Sequence, residues 1–146
     1  WLDGMQVINV EPSLLPKFYE DRWDTYADIS EVPDCSIDLI YGSHSLEHVQ
    51  DIEKSKREFK RVLKPNGLLF WEVPNAENEH AGSQHGRIDI PHTYYFKTDF
   101  FNKWFSEVLL CDGFDLKGWK ETNIIENWYE SKDEKGRVIR ALGRID

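Results

Sequence analysis

Long apolar runs are missing from this chain. No stretch approaches the ~20 residues that a membrane-spanning helix needs, and no secretion signal is read at the N-terminus. Cysteine is scarce. Cys35 and Cys111 lie far apart and match no metal-binding spacing. This argues against a disulfide scaffold, and the expectation is two buried or half-buried thiols in a reducing, cytoplasmic setting. Basic charge is in deficit, with 18 Lys and Arg against 27 Asp and Glu and a net charge of −9. Nucleic-acid phosphates are therefore not the expected partner, because they require clustered cations. The densest basic run, Lys54 to Lys64, is interleaved with Glu53 and Glu58 at helical spacing and reads as a solvated helix face. Internal repeats and low-complexity tracts are also lacking.

What remains is a chain of 146 residues, enough for a single domain over 1–146. Hydrophobic residues make up 40% and aromatics 14%, which supports a real core. Met5 to Val10 reads as a strand ended by Glu11-Pro12-Ser13. Leu14 to Tyr26 reads as loop with one helical turn, and Asp28 to Pro33 as loop. Ser36 to Tyr41 is nearly continuous in apolar character, as in a strand covered on both faces. Asp51 to Lys64 forms an amphipathic helix with Asp51 as N-cap and an apolar stripe of Ile52, Phe59, Val62 and Leu63. Pro65-Asn66-Gly67 stops it, and Leu68 to Val73 is the next strand. Thr98 is expected to cap a helix reaching Cys111, with Gly113 as its C′ residue. Phe114–Glu121 and Arg137–Ile145 read as a closing antiparallel pair. The alternation predicts an α/β fold: a Rossmann-like, mostly parallel sheet with helices on both faces and an antiparallel edge pair.

Ligands of such sheets bind beyond the carboxyl ends of the strands. That rule selects Glu11-Pro12-Ser13, Gly42-Ser43-His44-Ser45 and Pro74-Asn75-Ala76, with Asp28-Ile29 folding over the same rim. A carboxylate such as Glu11 can accept from both hydroxyls of a ribose, or be a solvated loop residue. Asp28 can accept from an adenine amino group, or bond its own backbone in a turn. His44 sits at the rim, and His48 is as readily a structural residue.

The run from Ile37 to Asn75 resembles the middle of the class I S-adenosylmethionine-dependent methyltransferases of the small, UbiE-like, type 11 kind. The residues that carry the likeness are Ile37-Asp38-Leu39-Ile40, Leu46-Glu47-His48, Arg61-Val62-Leu63-Lys64-Pro65-Asn66-Gly67 and Val73-Pro74-Asn75. Asn66 stands where glycine is usual, and Asn tolerates left-handed backbone. The likeness extends more weakly from Gly4 to Asp115. It implies S-adenosylmethionine as cofactor, Glu11 at its ribose, Asp28 and Ile29 at its adenine, and Gly42, Ser43 and His44 at its methionine part. His44 is then the first candidate for a general base, followed by His92 and Tyr94.

The family's first strand ends in a G-x-G loop, and this sequence has no G-x-G. That strand is expected before Trp1, and its lack here would expose sheet edges and invite a homodimer. The implied activity is methyl transfer to a small-molecule or sugar-like acceptor. The alternative is a degenerate methyltransferase-like domain that acts through protein contacts. Another nucleotide-binding enzyme, such as a reductase, has no place for the LEH and RVLKP runs. His80, His85 and His92, with Glu79 and Asp89, match no tight metal motif, so a substrate lid is expected there and no metal.

Overall fold

In the computed structural model, residues 6–10, 23–78, 92–117, 129–132 and 135–146 are described. Two short parallel strands, β1 (Ile8–Val10) and β2 (Asp24–Tyr26), form one small sheet. A five-stranded sheet carries the rest, in the order β3-β4-β7-β5-β6. Its strands are β3 (Ile37–Ser43), β4 (Leu63–Pro74), β5 (Glu107–Lys117), β6 (Tyr129–Lys132) and β7 (Val138–Arg144). β3 and β4 run parallel, and the other three pairings are antiparallel. The fold is thus the expected mixed α/β sheet, with antiparallel pairing reaching further inward than one edge pair. β7 inserts between β4 and β5, and β6 extends the outer edge.

Helix α1 (Ile52–Val62) begins where Asp51 Oδ1 accepts from the Lys54 N–H at 2.9 Å. It ends at Val62, two residues before the expected stop, because Leu63 already pairs with Ile37 as the first residue of β4. Asn66 turns the chain with φ of 65°, the left-handed conformation that Asn tolerates. Helix α2 (Thr98–Trp104) is shorter than predicted, and its N-cap is Lys97. Phe101, Trp104 and Phe105 satisfy helical spacing, but the Ser106 N–H then donates to the Arg144 carbonyl at 2.8 Å. From there the backbone is captured by β7 and continues as β5. Gly113 is consequently a buried strand residue opposite Ile139, not a helix cap. Asp24–Tyr26, read as loop from the sequence, is β2. Residues 11–22 and 118–128, with the calls made on them, lie outside the described residues.

Alternation along the strands separates two faces. Leu69, Trp71, Val73, Ile139 and Ala141 point to one side and are buried beneath Phe59 of α1 and Phe101, Trp104 and Phe105 of and beside α2. Phe59 meets Trp71 at 5.1 Å and Trp104 at 6.4 Å between ring centroids, so both helices cover this same face. Lys56 joins them by donating to the Trp104 carbonyl at 2.7 Å, with its ammonium 5.5 Å from the indole. The opposite face carries Leu39 and Tyr41, both exposed, and Tyr41 stacks on Phe70 at 5.5 Å. Among the described residues no helix covers that side, and no helix is long and apolar enough to cross a membrane.

The cysteines part company. Cys111 is half-buried as expected, whereas Cys35 is exposed in a turn, with φ of 49°. Burial, helped by the charges of Asp112 and Asp99, pushes the Cys111 thiol up to about 11. At pH 8 only about one Cys111 in a thousand is then a thiolate, the reactive form. Iodoacetamide at that pH is expected to label Cys35 in the native protein and to spare Cys111 until denaturant is added. Equal native labelling of both, read by peptide mass spectrometry, would contradict this packing.

Candidate functional site

The site grows from the exit of β3. Gly42 points toward the covered face, where a Cβ would lie 2.0 Å from Trp71 Cζ3. Only glycine lets the indole lie against the strand there. The next residue faces the other way, and Ser43 Oγ donates to Glu72 Oε1 at 3.2 Å. Arg140 Nε donates to the other Glu72 oxygen at 2.7 Å and sits over the Phe114 ring. His44 then leaves the strand with φ of 49°, its N–H held by the Glu72 carbonyl at 2.9 Å. Left-handed backbone at a non-glycine residue is uncommon, and such strain concentrates at functional sites.

A one-turn 3-10 helix, Leu46–His48, follows at once. It buries Glu47, which is 1% exposed. The His44 imidazole approaches Glu47 Oε1 at 3.5 Å and the His48 imidazole approaches it at 3.9 Å. Contact with the Glu47 side chain raises the His44 pKa above its ordinary value, against the opposing effect of burial. Burial also opposes the Glu47 charge, but His44, the local backbone and His48 outweigh it and hold the carboxyl below its usual range. The Glu47 carbonyl accepts the N–H groups of Thr93 and Tyr94 at 2.8 and 3.1 Å. This brings His92 beside His48, with ring centroids 4.9 Å apart. Tyr94 is occupied structurally: its hydroxyl donates to the Gln50 carbonyl and accepts the Ile52 N–H, both at 3.3 Å.

A cleft of about 430 Å³ opens between β1 and β3. That is the size range of small-molecule and cofactor sites. Its walls include Asn9, Asp28, Ile29, Tyr41, Ser45 and Leu46. Asn9 Nδ2 is buried there with no hydrogen-bond partner, so the cleft offers an unmet donor to a polar ligand. Asp28 lines the cleft and also caps the 3-10 turn Ile29–Glu31, accepting from the Ser30 N–H at 2.8 Å. Bonds to Ser30 lower its pKa. The turn reading and the ligand reading of Asp28 therefore coexist in one geometry.

The loop that presents Asp28 and Ile29 is clamped by Arg61, a residue the sequence placed on a solvated helix face. Arg61 donates to the carbonyls of Ile29 and Val32, both at 2.8 Å, and to Asp34 at 2.5 Å. Glu58 orients it from one turn earlier, at 2.7 Å. No charge-pattern argument separates this arginine from its exposed neighbours. Of the predicted site residues, Asp28 and Ile29 face the cleft, while Gly42, Ser43 and His44 form the adjoining strand exit. Glu11 lies outside the described residues, as do Glu79, His80, His85 and Asp89. Glu47, buried at the centre of the imidazoles, was not singled out as a site residue.

Comparison with known proteins now bears on this geometry. Residues 17–71 match a family model described as a methyltransferase domain, of type 11. Three solved structures share the fold over 97% of this chain. One is an S-adenosylmethionine-dependent methyltransferase from Thermotoga maritima, named as a possible histamine N-methyltransferase, with 18% identity, a TM-score of 0.73 and 73% of its own chain covered. A candidate type 11 methyltransferase from Sulfolobus solfataricus has 19% identity, a TM-score of 0.61 and 72% covered. A complex between the Trm112 methyltransferase activator of Haloferax volcanii and a candidate methyltransferase gives 17% identity, a TM-score of 0.66 and 73% covered. No curated protein matches the chain. The fold is the Rossmann-like fold of the class I S-adenosylmethionine-dependent methyltransferases, which these structures share.

Arg61→Lys tests the clamp. Lysine keeps the charge but loses the planar fork that serves two carbonyls at once. Affinity for S-adenosylhomocysteine should fall by about an order of magnitude with helical content intact. Unchanged affinity would show that the 29–34 loop holds its position without Arg61.

Proposed function

We propose that the protein transfers a methyl group from S-adenosylmethionine to a hydroxyl or amine of a small-molecule or sugar-like acceptor, with His44 as general base. What carries this reading is the adjacency of the Asp28-Ile29 cleft, whose wall includes Ser45 and Leu46, and the His44 exit of β3. The cofactor, when bound, supplies an activated methyl on a sulfonium, so the protein's contribution is alignment and water exclusion. Asp28 would accept from the adenine amino group, and the Ile29 side chain would cover the ring. Glu11 would hold the ribose hydroxyls, and the Gly42–His44 backbone would border the methionine part. The cleft volume and the unmatched Asn9 donor fit a polar ligand of that size.

His44 is half-exposed at 52%, so an acceptor can reach it. With Nδ1 turned toward Glu47, Nε2 is left to take a proton from the acceptor, in the pattern of a base oriented by a buried carboxylate. A second reading, a non-catalytic domain acting through protein contacts, draws on the uncovered face bearing Leu39 and Tyr41. A homodimer through an exposed sheet edge is compatible with either reading. The compartment proposed for either role is the cytoplasm.

His44→Ala distinguishes the base from the binding surface. Transfer to hydroxyl and amine acceptors, measured on the full protein, should drop by roughly 10²-fold or more in kcat. Affinity for S-adenosylhomocysteine should change far less. A variant that transfers methyl groups at the wild-type rate would remove His44 from the chemistry.

A further inference from the structure

We propose that Glu47, His48 and His92 form a binding site for a divalent transition-metal cation of the zinc class. One ligand atom from each residue can be chosen so that all lie within 4.8 Å of one another. Zinc takes imidazole nitrogen and carboxylate oxygen at about 2.0–2.2 Å, which sets ligand atoms roughly 3.4 Å apart in a closed tetrahedron. About an ångström of side-chain movement brings the set onto an ion.

Three independent observations point to a cation. Glu47 is 1% exposed, yet both of its carboxylate oxygens are buried without a hydrogen-bond partner. A buried, unpaired carboxylate is costly, and native structures match such groups with a donor or a metal. The imidazoles of His44 and His48 approach it at 3.5 and 3.9 Å, so they offset its charge without closing a short hydrogen bond. Second, His48 Nδ1 is itself buried without a partner, although the side chain as a whole is 30% exposed. Third, backbone hydrogen bonds bring the ligands together. The Glu47 carbonyl binds the amides of Thr93 and Tyr94, and Tyr94 is pinned to the start of α1, so His92 is delivered to His48 before any ion arrives.

The donor set selects the ion. Two imidazoles and one carboxylate suit zinc and neighbouring transition metals, whereas magnesium and calcium prefer all-oxygen ligands. Three protein ligands leave a further coordination position, the arrangement of zinc sites that hold water or a substrate oxygen. The site shares Glu47 with the methyl-transfer reading, in which Glu47 faces His44, but its test reads metal uptake and not transfer. It shares His92 with the 79–92 loop set considered on sequence grounds but differs in its other two ligands, which are adjacent in the 3-10 turn.

Calorimetric titration of the chelator-stripped full protein with zinc chloride, and separately with magnesium chloride, tests this. One zinc per chain is expected at micromolar or tighter affinity, with no magnesium heat in the same range. Zinc should raise the melting temperature of the wild type, since a ligand that binds only the folded state stabilises it. His48→Ala and His92→Gln should each weaken zinc by about tenfold or more and lose that thermal shift, with wild-type circular dichroism. Failure of the wild type to take up zinc would overturn the site. So would wild-type zinc affinity in either variant, which would place the ion elsewhere.

Discussion

The contact of Trp71 with Gly42 sets the rest of the structure. The indole lies across β3 where no side chain is tolerated, and it is covered in turn by Phe59 and, through Phe59, by Trp104. One large aromatic therefore joins the parallel strand pair to both helices. Since side chains alternate along a strand, fixing Gly42 inward forces Ser43 outward to Glu72 and releases His44 at the rim. The position of the candidate base follows from core packing two residues away.

The rim is a polar place built on an apolar support. Glu72 receives Ser43 and Arg140 on its two oxygens, and its carbonyl holds the His44 amide. Glu47, by contrast, is fully buried among imidazoles and lacks donors of good geometry. The two carboxylates illustrate opposite solutions: one is matched by hydrogen bonds within the fold, and the other leaves a demand that a cation meets. Arg61 works at the far side of the cleft in the first manner, tying loop carbonyls to α1 so that Asp28 and Ile29 keep their place.

Much of this was legible in the residues. The Asp51 cap, the apolar stripe of α1 and the Pro65-Asn66-Gly67 turn are local signals, and local signals survive folding. The strands read at Ser36–Tyr41 and Leu68–Val73 from their continuous apolar runs correspond to Ile37–Ser43 and Leu63–Pro74, and their extensions were not legible. Nor was the end of α2, because Phe101, Trp104, Phe105 and Leu109 satisfy a helical period. What ends the helix is pairing with β7, more than thirty residues later in the chain. The inward reach of antiparallel pairing escaped for the same reason. At the site, the rule that strand ends carry ligands selected Gly42–Ser45, and the likeness to the family pointed to Asp28 and Ile29; the structure sets Asp28 and Ile29 on the cleft and His44 beside it. Glu47 and Arg61 were not readable, since a buried acid and a clamping arginine look like ordinary polar neighbours until distant loops fold against them. The cluster with His92 likewise required a contact across forty-odd residues.

The central claim is that the cleft beside β3 holds the cofactor of a methyltransferase. Isothermal titration of the full protein with S-adenosylhomocysteine tests it most directly, with Asp28→Ala alongside. The account predicts a single site per chain, weakened when the Asp28 acceptor is removed. Absence of binding in the full protein, or binding at wild-type affinity in Asp28→Ala, would contradict it.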